Sequence, residues 1–244
     1  CVVTDLNAIV LGLAGAGREE NRQRLRLEIV KLAGREIPLV IETDARVGLE
    51  GAFNGGPGIL VIAGTGSVVI GKNSSGKIVT AGGWGRVLGD EGSGFWLGAE
   101  SLKSVARWYD GRGGSHLLAG LIRQEFGFDS RDRLIAAVYR EGFELSQLAA
   151  LVIKAAAGGD DVAQEILARG ATELALQTQA VAAQLDIAGK VAVAFSGGLL
   201  ERESDYTNIL RSMIVSRILN VNIQTALHPP AYGAVLLAIE SAKT

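Results

Sequence analysis

Four short segments hold the residues whose types and spacing suit chemistry: Thr43-Asp44-Ala45, Gly64-Thr65-Gly66-Ser67, the run "GGWGRVLGDEGSG" from Gly82 to Gly94, and Ser196-Gly197-Gly198. The apolar stretch "IPLVIE" places Asp44 at the carboxyl end of a strand and the start of a helix. Ligands of open α/β sheets gather at strand carboxyl ends. A carboxylate there can accept the proton of a substrate hydroxyl, or it can simply cap the helix. Gly64, Thr65, Gly66 and Ser67 lie between two apolar β runs, "ILVIA" and "VVIG". Successive backbone N–H groups in such a turn form an anion nest, to which a hydroxyl adds a donor. The alternative is an ordinary tight hairpin.

The Gly82–Gly94 run is the densest of the four. Gly83 and Gly85 bracket Trp84, while Asp90 and Glu91 follow in a second glycine loop. Carboxylates set in bare backbone suit a polyol, whose hydroxyls need acceptors and nearby N–H donors, and such a site rejects analogues lacking those hydroxyls. The structural alternative is a double turn with Trp84 packed in the core. "AFSGGLLE" ends an apolar strand at Gly197 and Gly198, where a flat ring could lie on the backbone or the chain could merely turn into a helix.

These segments need a scaffold, and the periodicity supplies one. A strand over Ala8–Leu13, a helix over "REENRQRLRLEIVKLAG" stopped by Gly34, a strand in "IPLVIE" and a helix from Asp44 make a βαβα order, which implies a parallel sheet. The pattern then changes to three short β segments, with "NSSGK" as the clearest hairpin turn. Residues 95–185 read as helical, with breaks at "DGRGGS", "FGFDS" and "AAGGDD" and with Asp160 or Asp161 as a helix cap. A strand in "KVAVAFS", a helix in "SDYTNILRSMIVSRI", a strand in "VNIQTA" and a closing helix begun by Pro230 complete the chain. The switch near Asn54 is the expected lobe boundary.

With 244 residues, 48% of them apolar, the chain can build a substantial core. A net charge of −2 gives no basic face for nucleic acid or an anionic membrane. Cys1 is the only cysteine, which excludes a disulfide framework or a cysteine metal cluster within one chain. His116 and His228 sit beside no obvious acid and read as structural or surface residues. No segment reads as a signal peptide or a bilayer span, so a soluble, cytoplasmic protein is expected.

Taken in order, "GLAGAG", "TDAR", "AGTGS", "GGWGRVLGDEGSG", "SGG" and "PPAYGAVLLA" resemble the N-acetylglucosamine kinase family, grouped with the BadF/BadG/BcrA/BcrD ATPases in the actin, hexokinase and Hsp70 superfamily. The resemblance covers nearly the whole chain, and "GGWG" followed by "GDEGS" is its most specific part. It implies an α/β fold of two ribonuclease-H-like lobes around a cleft, with residues 1–54 and the closing helix 232–244 in one lobe and residues 55–231 in the other. It implies Asp44 as the catalytic base and Gly83, Trp84, Gly85, Asp90 and Asp44 as sugar contacts. Gly64, Thr65, Gly66 and Ser67 would meet ATP phosphates; Ser146, Gly197 and Gly198 would meet the nucleotide. ATP and Mg²⁺ are the implied cofactors, and an amino sugar phosphorylated on its 6-hydroxyl the implied substrate; family members are often homodimers. The family's opening glycine-rich hairpin, roughly "DGGGTK", has no counterpart in the 244 residues, so a fragment with a truncated first lobe is expected. Two alternatives stay open: an ATPase that activates a redox partner, and a fragment that binds sugar or nucleotide without transfer.

Overall fold

The computed structural model describes residues 6–15, 19–33, 37–187 and 189–243. Cys1, Gly34 and the last two residues of "GLAGAG" lie outside them. Two strands, β1 (Ile9–Gly12) and β2 (Leu39–Glu42), pair in parallel across helix α1 (Glu19–Ala33), as the βαβ order requires. β1 is half-buried along its length rather than a fully buried strand, and α2 (Asp44–Ala52) and α9 (Pro230–Ser241) pack against this small sheet.

A second sheet holds five strands in the order β5-β4-β3-β6-β7. β3 (Gly58–Ala63), β4 (Ser67–Lys72) and β5 (Ile78–Gly82) form the antiparallel hairpins, while β6 (Val191–Ser196) and β7 (Val221–Gln224) join in parallel beside β3. The "NSSGK" turn closes as expected: the Asn73 side-chain carbonyl accepts from the Ser75 and Lys77 amides. β3 is covered on both faces, and its near-continuous apolar sequence follows from that. Period-two alternation sends Ile59, Val61 and Ala63 into the main core and Leu60 into a smaller cluster on the other face.

The main core forms beneath α3 (Gly94–Tyr109), α4 (His116–Phe126), α5 (Arg131–Tyr139), α6 (Ala149–Ala157), α7 (Asp161–Leu185) and α8 (Asp205–Arg217). A 3₁₀ turn, Leu145–Leu148, precedes α6. Asp160 is the cap of α7, its carboxylate accepting from the Ala163 amide at 2.8 Å. On the opposite face, Ala45, Leu49 and Ala52 of α2, with Phe53 just after it, pack onto Leu60, Ile70 and Ala194. A buried ion cluster fastens the same helix: Glu50, only 3% exposed, takes both Arg46 and Lys72 of β4. α2 therefore stands between the two sheets and touches both.

Candidate functional site

Asp44 is the first residue of α2, directly after β2. The cap of this helix is Thr43, whose hydroxyl accepts from the Arg46 amide at 3.1 Å. Asp44 is thus free of the capping role that its sequence position allowed. One of its carboxylate oxygens accepts from the Ala45 amide at 2.9 Å, and the side chain is exposed.

A cleft of about 740 Å³ opens beside it. Its wall includes Asp44 and Thr43 from one sheet and Gly64, Thr65, Gly66, Ser67, Gly83, Gly85 and Asp90 from the other. Three of the four candidate segments therefore meet in one place. The floor is the sheet face opposite the main core: Ile62, Val68 and Ile70, with Thr80 and Gly82 of β5. Sequence reading did not single these out, although the same alternation that buries Val61 and Val69 turns Ile62, Val68 and Ile70 the other way. Ala14 and Gly15, at the end of β1, complete the rim.

The turn and the acidic loop interlock. Gly64 to Gly66 connect β3 to β4, and the Thr65 and Gly66 amides donate to no protein acceptor among the described residues. Gly94 donates to the Gly64 carbonyl at 2.8 Å and Phe95 to the Thr65 carbonyl at 3.1 Å. The buried Ser67 hydroxyl donates to the Glu91 carbonyl at 2.8 Å. Asp90 sits at φ 59°, a left-handed conformation uncommon outside glycine, and its carboxylate lies about 3.1 Å from where a Cβ on Gly66 would stand. Ser93, fully buried, caps α3 by accepting from Trp96 at 3.2 Å. A strained acid beside two unpaired amides is an arrangement the surrounding bonds impose.

The remaining expected residues lie nearby but outside the cleft wall. Trp84 is 74% exposed and projects with Val87 and Leu88 from the loop beside Gly83 and Gly85, so it is not core packing. Gly197, at φ 92°, folds back on the end of β3: a Cβ there would collide with the Ala63 carbonyl, next to the Gly64 turn. Gly198 faces open space. Ser146, in the 3₁₀ turn, abuts Gly94 at the start of α3. His116 packs edge-on against Trp108, and His228 stacks on Tyr232. A separate, mostly apolar groove between α3 and α5, lined by Leu102, Ala106, Leu134 and Val138, holds none of the candidate residues.

The acidic loop is also held from behind. The Tyr206 hydroxyl donates to the Gly92 carbonyl at 2.6 Å, in full burial, and burial pushes that hydroxyl far above the ordinary tyrosine value of 10.0. Below about pH 10 folded and unfolded chains both keep this proton. Above it the unfolded chain releases the proton that the folded chain retains, so stability falls as pH rises. The stability advantage of wild type over Tyr206→Phe is expected to shrink between pH 9 and pH 11, read as the gap between urea midpoints.

Among the described residues, no cluster of three or more His, Cys, Asp or Glu side chains could hold a metal, and no helix is long and apolar enough to cross a membrane.

Comparison with known proteins identifies the family of the chain. The sequence model of the BadF/BadG/BcrA/BcrD ATPase family matches residues 3–238. An N-acetylmuramic acid/N-acetylglucosamine kinase of Clostridium acetobutylicum is 32% identical over 238 residues, which span 96% of this chain and 78% of that protein. An N-acetyl-D-glucosamine kinase of Dictyostelium discoideum is 29% identical over 245 residues, 98% of this chain and 77% of its own. The crystal structure of a "Putative N-acetylglucosamine Kinase" from Chromobacterium violaceum shares the fold with a TM-score of 0.72 at 30% identity, over 95% of this chain and 75% of that one.

Proposed function

Because the chain belongs to the BadF/BadG/BcrA/BcrD ATPase family, we propose that its cleft transfers the γ-phosphoryl group of ATP to the 6-hydroxyl of an amino sugar, N-acetylglucosamine first among them. The observation that carries this reading is the meeting of Asp44, the Gly64–Ser67 turn and the Asp90 loop on one cleft of about 740 Å³. The two relatives at about 30% identity, kinases of N-acetylglucosamine or N-acetylmuramic acid by name, support the choice of substrate. The regulator of a redox partner has no comparable support in the residues that line this cleft.

In this reading the sugar lies over the apolar floor of Ile62, Val68 and Ile70, which suits the ring face and an acetyl methyl group. Asp90 and the backbone at Gly83 and Gly85 meet its hydroxyls, and the exposed Trp84 offers a ring face at the rim. The phosphates lie against the Thr65 and Gly66 amides, with adenosine toward Gly197 and Gly198 and with Ser146 beside the turn. Asp44 accepts the 6-hydroxyl proton as that oxygen bonds to the γ-phosphorus and the bond to the β–γ bridging oxygen breaks, releasing ADP. Fixed N–H dipoles at the turn stabilise charge as it develops on the transferred group, the term that usually dominates phosphoryl transfer. Mg²⁺, arriving on the nucleotide, would neutralise phosphate charge.

The division into two lobes at Asn54, with α9 returning to the first, fits this reading because α9 packs on α2 and on β1 and β2, and α2, which touches both sheets, would act as the hinge. A panel assay tests the proposal. ADP release is measured with Mg-ATP and, in turn, glucose, glucosamine, N-acetylglucosamine and N-acetylmuramic acid. ADP formation that depends on an N-acetylated sugar is expected; formation at one rate with and without sugar would overturn the reading in favour of an ATPase serving another partner.

A further inference from the structure

Gly92 is clamped from two helices. At φ 77°, it leaves no room for a side chain: a Cβ would stand 2.6 Å from the Gly170 carbonyl and 2.7 Å from Leu174 Cγ on α7, and 2.8 Å from the Tyr206 hydroxyl on α8. Gly170 is tight too, though less so, its own Cβ position lying 3.0 Å from that hydroxyl and 3.1 Å from Gly92 Cα. Two residues before Gly92 stands Asp90, whose left-handed backbone is held by this loop. Four residues before Tyr206 stands Arg202, in the turn that runs from Gly197 into α8. That turn is stiff: Leu200 and Glu201 donate to the Gly197 carbonyl, the Glu201 carboxylate takes the Ser196 hydroxyl and the Gly197 amide, and a capping box between Ser204 and Thr207 fixes the start of the helix.

A buried tyrosine needs a partner for its hydroxyl, and a phenylalanine would fill the same space without one. The partner here is the Gly92 carbonyl, in the loop that carries Asp90 to the cleft. We infer that Tyr206 is a positioning residue that couples nucleotide binding at the Gly197–Gly198 turn to sugar binding at Asp90, through the Gly92 carbonyl. The inference rests on the kinase reading and goes beyond it: neither resemblance nor cleft geometry assigns Tyr206 a part. A nucleotide that settles the turn settles the start of α8, and the hydroxyl then holds the Asp90 loop in the shape the sugar needs. Binding of the two ligands becomes mutually reinforcing, and the reinforcement is reciprocal by linkage.

The test is a thermodynamic cycle by isothermal titration on the full chain. N-acetylglucosamine is titrated with and without saturating β,γ-imido ATP, for wild type and for Tyr206→Phe. In wild type the nucleotide is expected to tighten sugar binding about tenfold, within the usual range of such couplings. In Tyr206→Phe the factor is expected to fall below about twofold, with the Kd of each ligand alone changed by less than about threefold. Gly170→Ala, which crowds the same hydroxyl from α7, should reduce the factor as well. Leu210→Ala, a cavity elsewhere on α8 at a fully buried position, should lower thermal stability and leave the factor intact. An unchanged factor in Tyr206→Phe, or an equal loss in Leu210→Ala, would overturn the inference. So would two ligands that bind wild type independently, an outcome that leaves the kinase reading standing. If wild type binds neither ligand, that reading fails first.

Discussion

Asp44→Asn is expected to lower turnover on the order of 10³-fold while leaving the Kd for sugar within about threefold, because general-base catalysis contributes roughly 10²–10⁴ and the amide keeps the shape of the carboxylate. The structure sharpens this expectation. Helix α2 keeps its cap in the variant, since Thr43 and not Asp44 accepts from the Arg46 amide. The bond from the Ala45 amide survives as well, because an Asn carbonyl oxygen accepts as a carboxylate oxygen does. A loss of turnover therefore cannot be assigned to a lost cap. The check is paired: steady-state ADP release for kcat and sugar titration for Kd. Retained turnover would remove Asp44 from the chemistry.

Gly233→Ala is expected to be the most damaging small substitution away from the cleft. α9 crosses α2 with backbone nearly against backbone. A Cβ on Gly233 would collide with the Val47 carbonyl and stand 2.5 Å from the Gly51 amide nitrogen. Gly51 is as close in return, its Cβ position 2.6 Å from the Pro229 carbonyl. The Leu227 and His228 amides donate to Ala52 and Gly51 at 3.0 and 3.2 Å, so the chain entering α9 is stitched to the end of α2. One methyl group must push the helices apart, at a cost of about 3 kcal/mol for overpacking. The Tm should fall by several degrees, and kcat should fall with it because α2 carries Asp44. Gly120→Ala is the control: nothing lies within 4 Å of its added Cβ, and alanine favours the helix. A Gly233→Ala protein as stable as wild type would mean that the crossing is looser than these distances require.

Much of this molecule was legible in its sequence because local rules govern it. The short apolar runs "GILVIA" and "SVVIGK", bounded by glycine turns, gave away β3 and β4, Pro230 marked a helix start by fixed chemistry, and the cap of α7 was narrowed to Asp160 or Asp161, of which Asp160 holds it. Where two neighbouring residues suit one role, the rules do not choose: Thr43 and Asp44 are both good caps, and only the backbone of Thr43, extended at φ −73° and ψ 154°, decides between them. The exposure of Trp84 was not legible, since burial depends on what the sheet packs against rather than on the residue. Long-range bonds were beyond reach for the same reason. Ser67 and Glu91 are 24 positions apart, and Tyr206 and Gly92 are 114 apart, yet these pairs give the acidic loop its shape. The glycines of "GDEGSG" announced a special backbone but not its cause, which at Gly92 is the crowding of α7 and α8.

The central claim is that phosphate leaves ATP for the sugar and not for water. Phosphorus NMR of a single reaction containing Mg-ATP and N-acetylglucosamine reads this directly. The account predicts a sugar 6-phosphate resonance growing in equal amount with ADP, and its loss in Asp44→Asn. Growth of inorganic phosphate with ADP, and no sugar phosphate, would contradict it.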